Sequence, residues 1–519
     1  MQYIMNVKNL VILLSFSVLA VSCNKNKSGK SSVTGWNYND KNMGGFQVAK
    51  ATDQKTGPGL VFVEGGTFTM GQTEEDVMGD WNNIPRRVSV PSFYIDRTEV
   101  ANVHYREYLY WLNKVFDPTD PQNLPIVEGA LPDTLSWRSE LSYNEPMVEY
   151  YLRHPGFNYY PVVGVSWKQA NDFCLWRSDR VNEGILLQKG FVNKQSLNGQ
   201  QGADNFTTKS YLLGVGYQPP PGKGATSKKN PLKTPQGQPR TNVTMEDGLL
   251  LPDYRLPFEA EWEYAAYGLI DQNPRISTKK KRGEELVQNR QVYPWSQNPN
   301  GLRDVRHGSW QGQFLANFKR GSGDNAGVAG GLNDNAFYTA DVKSFYPNAF
   351  GLYNMAGNVN EWVHDVFRPL STLDFDDMPA PTRGNKFQTI VKDPSTGEAM
   401  VNDTTGRVVM RDVTDEESKN RRNYQRGNVI NYLDGDTASQ ASYGYGTTTL
   451  VSDHSRVYKG GSWNDRAYWL SPGTRRFLEE DQALSTLGFR CAMNSMGGAA
   501  NGKGTRKTGN QFPTKRSKR

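Results

Sequence analysis

Much of what would advertise a function is missing from this 519-residue sequence. Its five histidines, His104, His154, His307, His364 and His454, are scattered without metal-ligand spacing, so a histidine-held iron centre lacks donors. There is no phosphate-cradling glycine loop and no nucleophile elbow, and Ser462 has no identifiable base to activate it. No segment repeats. After the N-terminal stretch, no apolar run approaches the ~20 residues a spanning helix needs. Charge of one sign is also scarce. Sixty basic and 53 acidic residues give +7. Seven of those basic residues, Lys503, Arg506, Lys507, Lys515, Arg516, Lys518 and Arg519, lie in Gly497–Arg519, which has no acid. The remainder is balanced, which argues against a nucleic-acid-binding face. Scarcest of all is cysteine, at positions 23, 174 and 491 only.

What is present begins with a targeting pattern. Lys8 is the one charge before Cys23, and Leu10–Val21 is an apolar run of signal-peptide length. It ends at Ser22-Cys23 and gives way to the polar Asn24–Lys30. The expectation is a lipoprotein signal over 1–22, with Cys23 as the lipidated N-terminus and the lipid as the only anchor. The usual box has Leu where Ala20 stands; an ordinary cleaved signal is the alternative. The residues after Cys23 are neutral and basic, so the periplasmic side is expected. In that oxidising compartment Cys174 and Cys491 fit one long-range disulfide, with two buried free thiols as the alternative.

Residues 23–58 read as a polar leader, 59–495 as the folded domain and 496–519 as a basic disordered tail. Gly59-Leu-Val-Phe-Val63 predicts a strand. Asn102–Val115, Trp167–Val181 and Glu259–Tyr267 predict helices. Glu259, Glu261 and Glu263 alternate along the third helix and do not converge; they read as first-turn carboxylates favoured by the helix dipole. Two stretches look like insertions, about 182–250 and 366–455. The first carries Pro219-Pro-Pro-Gly-Lys-Gly224 and reads as a flexible basic linker.

Seven segments then occur in order: Phe62–Gly71, Val90–Asn102, Pro161–Trp167 running into Phe173–Trp176, Arg255–Tyr264, Asn348–Trp362, Lys459–Trp463 and Leu487–Ala492. Together they resemble the formylglycine-generating enzyme (sulfatase-modifying factor) family. The resemblance implies an α+β, C-type-lectin-related fold with little regular secondary structure. It also implies the Cys174–Cys491 disulfide, since both cysteines sit inside family motifs. The family's two active cysteines fall at Asp465 and Leu470 here. Soft thiolates select copper(I); a carboxylate and a leucine do not, so no copper and no catalytic residue is expected. A family tryptophan is replaced by Asn360. The family's calcium ligands, by contrast, match Asn317, Phe318, Asp334 and Ala336 at one site and Asn354, Gly357, Val359 and Glu361 at the other, oxygen donors for a hard ion. Structural calcium is the implied cofactor.

Gly35–Asp40 with Gly44–Gln47, Asp133–Trp137, Tyr143–Pro155 and Ala265–Ile270 resemble, further, the GldJ-type and next the GldK-type gliding-motility lipoproteins of Bacteroidetes. This implies a noncatalytic scaffold of the gliding and type IX secretion machinery, an outer membrane lipoprotein facing the periplasm. Its partners would be other machinery proteins, the sibling lipoprotein among them, with no nucleic acid. An enzyme of altered chemistry near Asp465 and Asn360, or a glycan- or peptidoglycan-binding module with a cleft at Trp463 and Trp469, are the other classes.

Overall fold

The computed structural model describes residues 29–40, 42, 46–49, 54–72, 83, 85–229, 232–234, 238–267, 275–279, 283–287, 291–295, 297–298, 300–321, 334, 336–367, 388–418 and 454–497. The expected signal peptide, Cys23 and the basic segment beyond Gly497 lie outside them. Strands and helices mix, and long stretches are turns held by local hydrogen bonds. Among the described residues no helix is long and apolar enough to cross a membrane.

One four-stranded sheet joins the two ends of the domain. Its order is β1 (Leu60–Val63), β4 (Phe93–Asp96), β14 (Ala492–Asn494), β5 (Tyr254–Arg255). Neighbours are antiparallel, with Leu60 opposite Asp96 and Ala492 opposite Ile95. A second sheet has the order β12 (Arg476–Glu479), β11 (Ser455–Lys459), β8 (Asn360–Val366), β13 (Leu487–Phe489). Its β13–β8 pair is parallel. A hairpin of β2 (Gly66–Met70) and β3 (Arg86–Val90) covers one side, and β6 (Arg275–Lys279) pairs β7 (Gly283–Val287) in another.

The helices pack where their apolar spacing directs them. In α1 (Asn102–Val115), Tyr105, Tyr108, Leu109, Leu112 and Val115 are buried at i, i+3, i+4 spacing. Two short helices follow, α2 (Leu124–Gly129) and α3 (Glu145–Tyr150). Next comes α4 (Trp167–Gln188), started by a capping box: Ser166 Oγ accepts from Gln169 N at 3.3 Å and Gln169 Oε1 from Ser166 N at 2.9 Å. A short α5 (Thr208–Leu213) precedes α6 (Glu259–Tyr267), every residue of which is buried. The main core lies between α1, α4 and the first sheet; a second cluster gathers α6, the β2–β3 hairpin and β8.

Three sequence expectations are corrected here. The helix from Trp167 continues through Gln188, past the expected insertion boundary at 182, because its polar residues are spoken for. Asn182 exchanges hydrogen bonds with the backbone of Leu251, and Glu183 pairs with Arg180 at 2.7 Å. The stretch at Pro219–Gly224 is not a free linker. It runs against Gly190–Asn193, with Gly222 N on Phe191 O at 2.8 Å and Gly224 N on Gly190 O at 2.9 Å. Around it Leu186, Phe191, Val192, Phe206 and Tyr211 form a separate core. Finally, the α6 glutamates, two of them in the first turn as expected, do converge: Glu259 and Glu263 meet on Lys459. Glu259 binds Arg475 and Lys459, Glu261 binds Arg255, and Glu263 binds Lys459 and Gly71 N, all in the interior.

Candidate functional site

After β11 the chain turns through Gly460 and Gly461, both at positive φ (99° and 67°), and delivers Ser462-Trp-Asn-Asp465 beside the ends of β8 and β12. Only glycine takes such a pair of turns without strain. Asp465 is there met from every side. Its Oδ1 accepts from an Arg476 guanidinium nitrogen at 2.6 Å. Its Oδ2 accepts from another at 2.7 Å, from Ser462 N at 2.9 Å and Oγ at 2.6 Å, and from Asn360 Nδ2 at 3.0 Å. Arg476 closes the ring by donating to Asn360 Oδ1 at 2.6 Å and stacks over Trp469, 4.4 Å from its centroid. Burial alone would raise the Asp465 carboxyl. The hydrogen bonds and charge of Arg476, with those of Ser462 and Asn360, outweigh it and hold the group below the usual carboxylate range.

Leu470, at the second cysteine position, is fully buried among Trp295, Leu315, Ala316, Phe318 and Ala356. The two positions therefore hold a saturated ion pair and a core side chain. Trp463 does not line an open cleft: it is 6% exposed, stacked on Trp137 at 6.0 Å and edge-on to Tyr338 at 4.9 Å.

A layer of buried oxygen donors lies beneath. Asn354 and Asn358 sit at positive φ (51° and 64°), and each donates 3.0 Å to one oxygen of Glu99. Gly357 between them, at φ +78°, has the Asn317 carbonyl where a Cβ would be, and Asn358 N donates to that carbonyl at 3.0 Å. This joins the two sets of expected calcium ligands. Glu361 accepts from Arg490 on both oxygens, at 2.5 Å each, and from Trp262 Nε1 at 2.7 Å, with Arg490 fully buried. Burial, and next the charge of Glu361, push the Glu99 carboxyl up to about 8 against Arg490 and the two asparagines. Asp334 accepts from Ala336 N at 3.2 Å and pairs with Arg320 at 3.3 Å. Phe318 is in the Leu470 cluster, Ala336 packs with Ala340 and Phe345, and Val359 is wholly buried. Among the described residues the amide oxygens of Asn317 and Asn354 are buried with no hydrogen-bond donor. Such orphans are costly unless something binds them, and a hard cation suits them.

Cys174 and Cys491 stand side by side in the main core, Sγ to Sγ 3.2 Å. Among the described residues no group of three or more His, Cys, Asp or Glu converges as a metal site. The histidines lie apart in varied settings: His364 against Phe258 and Trp167, His454 beside Glu480 at 3.0 Å. Sequence reasoning missed Arg476 and Glu99. Arg476 lies outside every motif, whereas Glu99 and Arg490 lie inside motifs whose pattern assigns them no partner.

A family model described as "Sulfatase-modifying factor enzyme 1-like domain" matches residues 45–495. The formylglycine-generating enzyme of Thermomonospora curvata is 24% identical over 335 residues, 62% of this chain and 75% of that protein. Its counterpart in Bos taurus is 22% identical over 321 residues, 59% of this chain and 57% of that protein. The chain thus spans three quarters of the bacterial relative and under two thirds of the bovine one. The "Inactive C-alpha-formylglycine-generating enzyme 2" of Mus musculus is 24% identical over 344 residues, 62% and 73% of the two chains. Among solved structures, PvdO from Pseudomonas aeruginosa superposes with a TM-score of 0.38 and 14% identity, covering 84% of this chain and 94% of that one. The family match spans most of the sequence and includes every framework motif: the protein belongs to the sulfatase-modifying factor family, that of the formylglycine-generating enzymes.

Proposed function

We propose that this member does no oxygen chemistry and works by binding. The observation that carries the reading is the closed ring of Asp465, Arg476, Asn360 and Ser462, with Leu470 in the core. Copper(I) needs soft ligands, and these positions supply a hard carboxylate held by five hydrogen bonds. The framework motifs persist around a site rebuilt for structure.

On this reading the chain is a lipoprotein anchored through Cys23 in the outer membrane and facing the periplasm. It acts as a scaffold of the gliding and type IX secretion machinery, most like GldJ and next GldK. The Tyr143–Pro155 segment and the two insertions support it by adding surface to a rigid core, where loops carry recognition. Calcium would be held by Asn317, Phe318, Asp334 and Ala336, and by Asn354, Gly357, Val359 and Glu361. There it would tie loops together and supply no reaction chemistry. The Cys174–Cys491 bond is proposed as a second staple.

With copper and a sulfatase-type cysteine peptide, the purified protein gives no formylglycine. The double variant Asp465→Leu/Arg476→Met, which trades the ion pair for apolar groups, leaves motility and secretion intact. Loss of either with folding and partner binding preserved returns the site to chemistry.

A further inference from the structure

The two insertions meet. Asn205 Nδ2 donates to Thr405 O at 2.9 Å, Ser210 Oγ to Gly406 O at 2.9 Å, and Arg407 pairs with Asp179 of α4 at 2.9 Å. Gly202 N reaches back to Val115 O at the end of α1 at 2.8 Å. Between this seam and helices α1, α2 and α4 a cavity of about 270 Å³ stays open. None of its walls belongs to the Asp465 ring.

The wall chemistry is specific. Tyr108, Trp111 and Trp176 supply aromatic surface, and Leu112 and Ile126 supply aliphatic surface. Two charged groups line it, Asp172 and Arg407. Arg407 is already neutralised by Asp179. Asp172 is exposed, opens into the cavity and has no hydrogen bond or ion pair among the described residues. Partial desolvation by the crevice walls raises its carboxyl although its tip reaches solvent, and Arg407 is the one charge lowering it. The cavity thus carries one carboxylate with no hydrogen-bonded or ion-paired partner among the described residues, in an aromatic setting. A cationic side chain meets both, its head on the carboxylate and its stem along the apolar walls.

We infer that this cavity takes a lysine or arginine side chain from a partner polypeptide, its cationic head on Asp172 and its aliphatic stem along Leu112 and Ile126. The partner's being a polypeptide rests on the binding function proposed above. Asp465→Leu/Arg476→Met bears on that function without touching this cavity, so the two ideas fail separately.

The test uses the whole chain labelled with 5-fluorotryptophan, its Trp111 and Trp176 signals assigned by single Trp→Phe variants. Capped Gly-Lys-Gly and Gly-Arg-Gly peptides are titrated against the neutral Gly-norleucine-Gly and against n-butylamine. Saturable shifts at Trp111 or Trp176, at least tenfold tighter for the basic peptides than for either control, are expected. Asp172→Asn removes the tenfold preference, and Thr405→Trp at the rim blocks binding while keeping the melting temperature. Equal response to norleucine, or an unchanged preference in Asp172→Asn, overturns the proposal. Equal binding of n-butylamine overturns the polypeptide as its source.

Discussion

Asp465 and Asp172 carry the same side chain into opposite circumstances. Asp465 accepts five hydrogen bonds, two of them from one guanidinium. Asp172 stands on α4 in an open cavity and receives none from the described residues. A saturated charge has become architecture, since any ligand reaching it must first displace its partners. An unsaturated one costs the fold little while water reaches it and is ready to meet a counter-charge. On the proposed reading, the contrast places binding at the insertions and not at Asp465.

The sharpest way to break the contrast is to open the ring. Arg476→Met leaves the part-buried Asp465 carboxylate without its charged partner and should destabilise by about 3 kcal/mol, the low end of the range for stranding one member of a buried pair. Adding Asp465→Leu should recover much of that loss, and a denaturant double-mutant cycle reads the coupling. Additive losses would mean that the ring is not a unit. Next in size is chelation. Calcium at 100 times its dissociation constant contributes about 2.7 kcal/mol, so removing it should lower the melting temperature, and Asn354→Ala should blunt that response. No shift on chelation would leave the amides of Asn317 and Asn354 without the proposed ion.

A third test concerns the buried carboxyls around α6. Burial, and next the charge of Glu259, raise Asp365 from 3.8 to about 7. The folded state therefore binds this proton more tightly than the unfolded chain does. The stability it contributes is whole below about pH 4 and is lost as pH climbs through about 7. Glu259 behaves in the opposite sense. Burial opposes its ionisation, but Arg475 and Lys459 hold it down to about 2, so its contribution is present above 4.5 and is lost as pH falls through about 2. Asp365→Asn should flatten the decline in stability between pH 4 and 7, and an unchanged slope in thermal melts would contradict this. The smallest effect belongs to Asp172→Asn. It should move unfolding free energy by no more than about 0.5 kcal/mol, as for a substitution away from packed features. A larger loss would make Asp172 a structural residue like Asp465.

How far the sequence shows this depends on distance along the chain. The strand at Leu60, the helices at Asn102 and Glu259, and the start of the helix at Trp167 are written in local spacing and caps, and so were legible. Asp465 and Leu470 were legible as positions, since they sit at fixed offsets from a motif. Arg476 was not, because its pairing with Asp465 is a register effect of β12 against β11. The seam of Asn205 with Thr405 spans 200 positions. The first of its segments looks like a linker because of runs such as Pro219–Gly224, yet its order comes from hydrogen bonds to distant backbone.

The place of β14 carries a consequence for how this protein comes into being. The last strand of the domain lies between β4 and β5, and Cys491 N donates to Asp96 across a separation of 395 residues. The first sheet therefore cannot close until almost the whole domain has been made. At roughly 5–20 residues per second of synthesis, β1 and β4 wait about 20–80 s for their neighbour. Through that interval an exposed sheet edge is available to other chains, and a polypeptide truncated before Leu487 would lack β13 and β14 and never complete either four-stranded sheet.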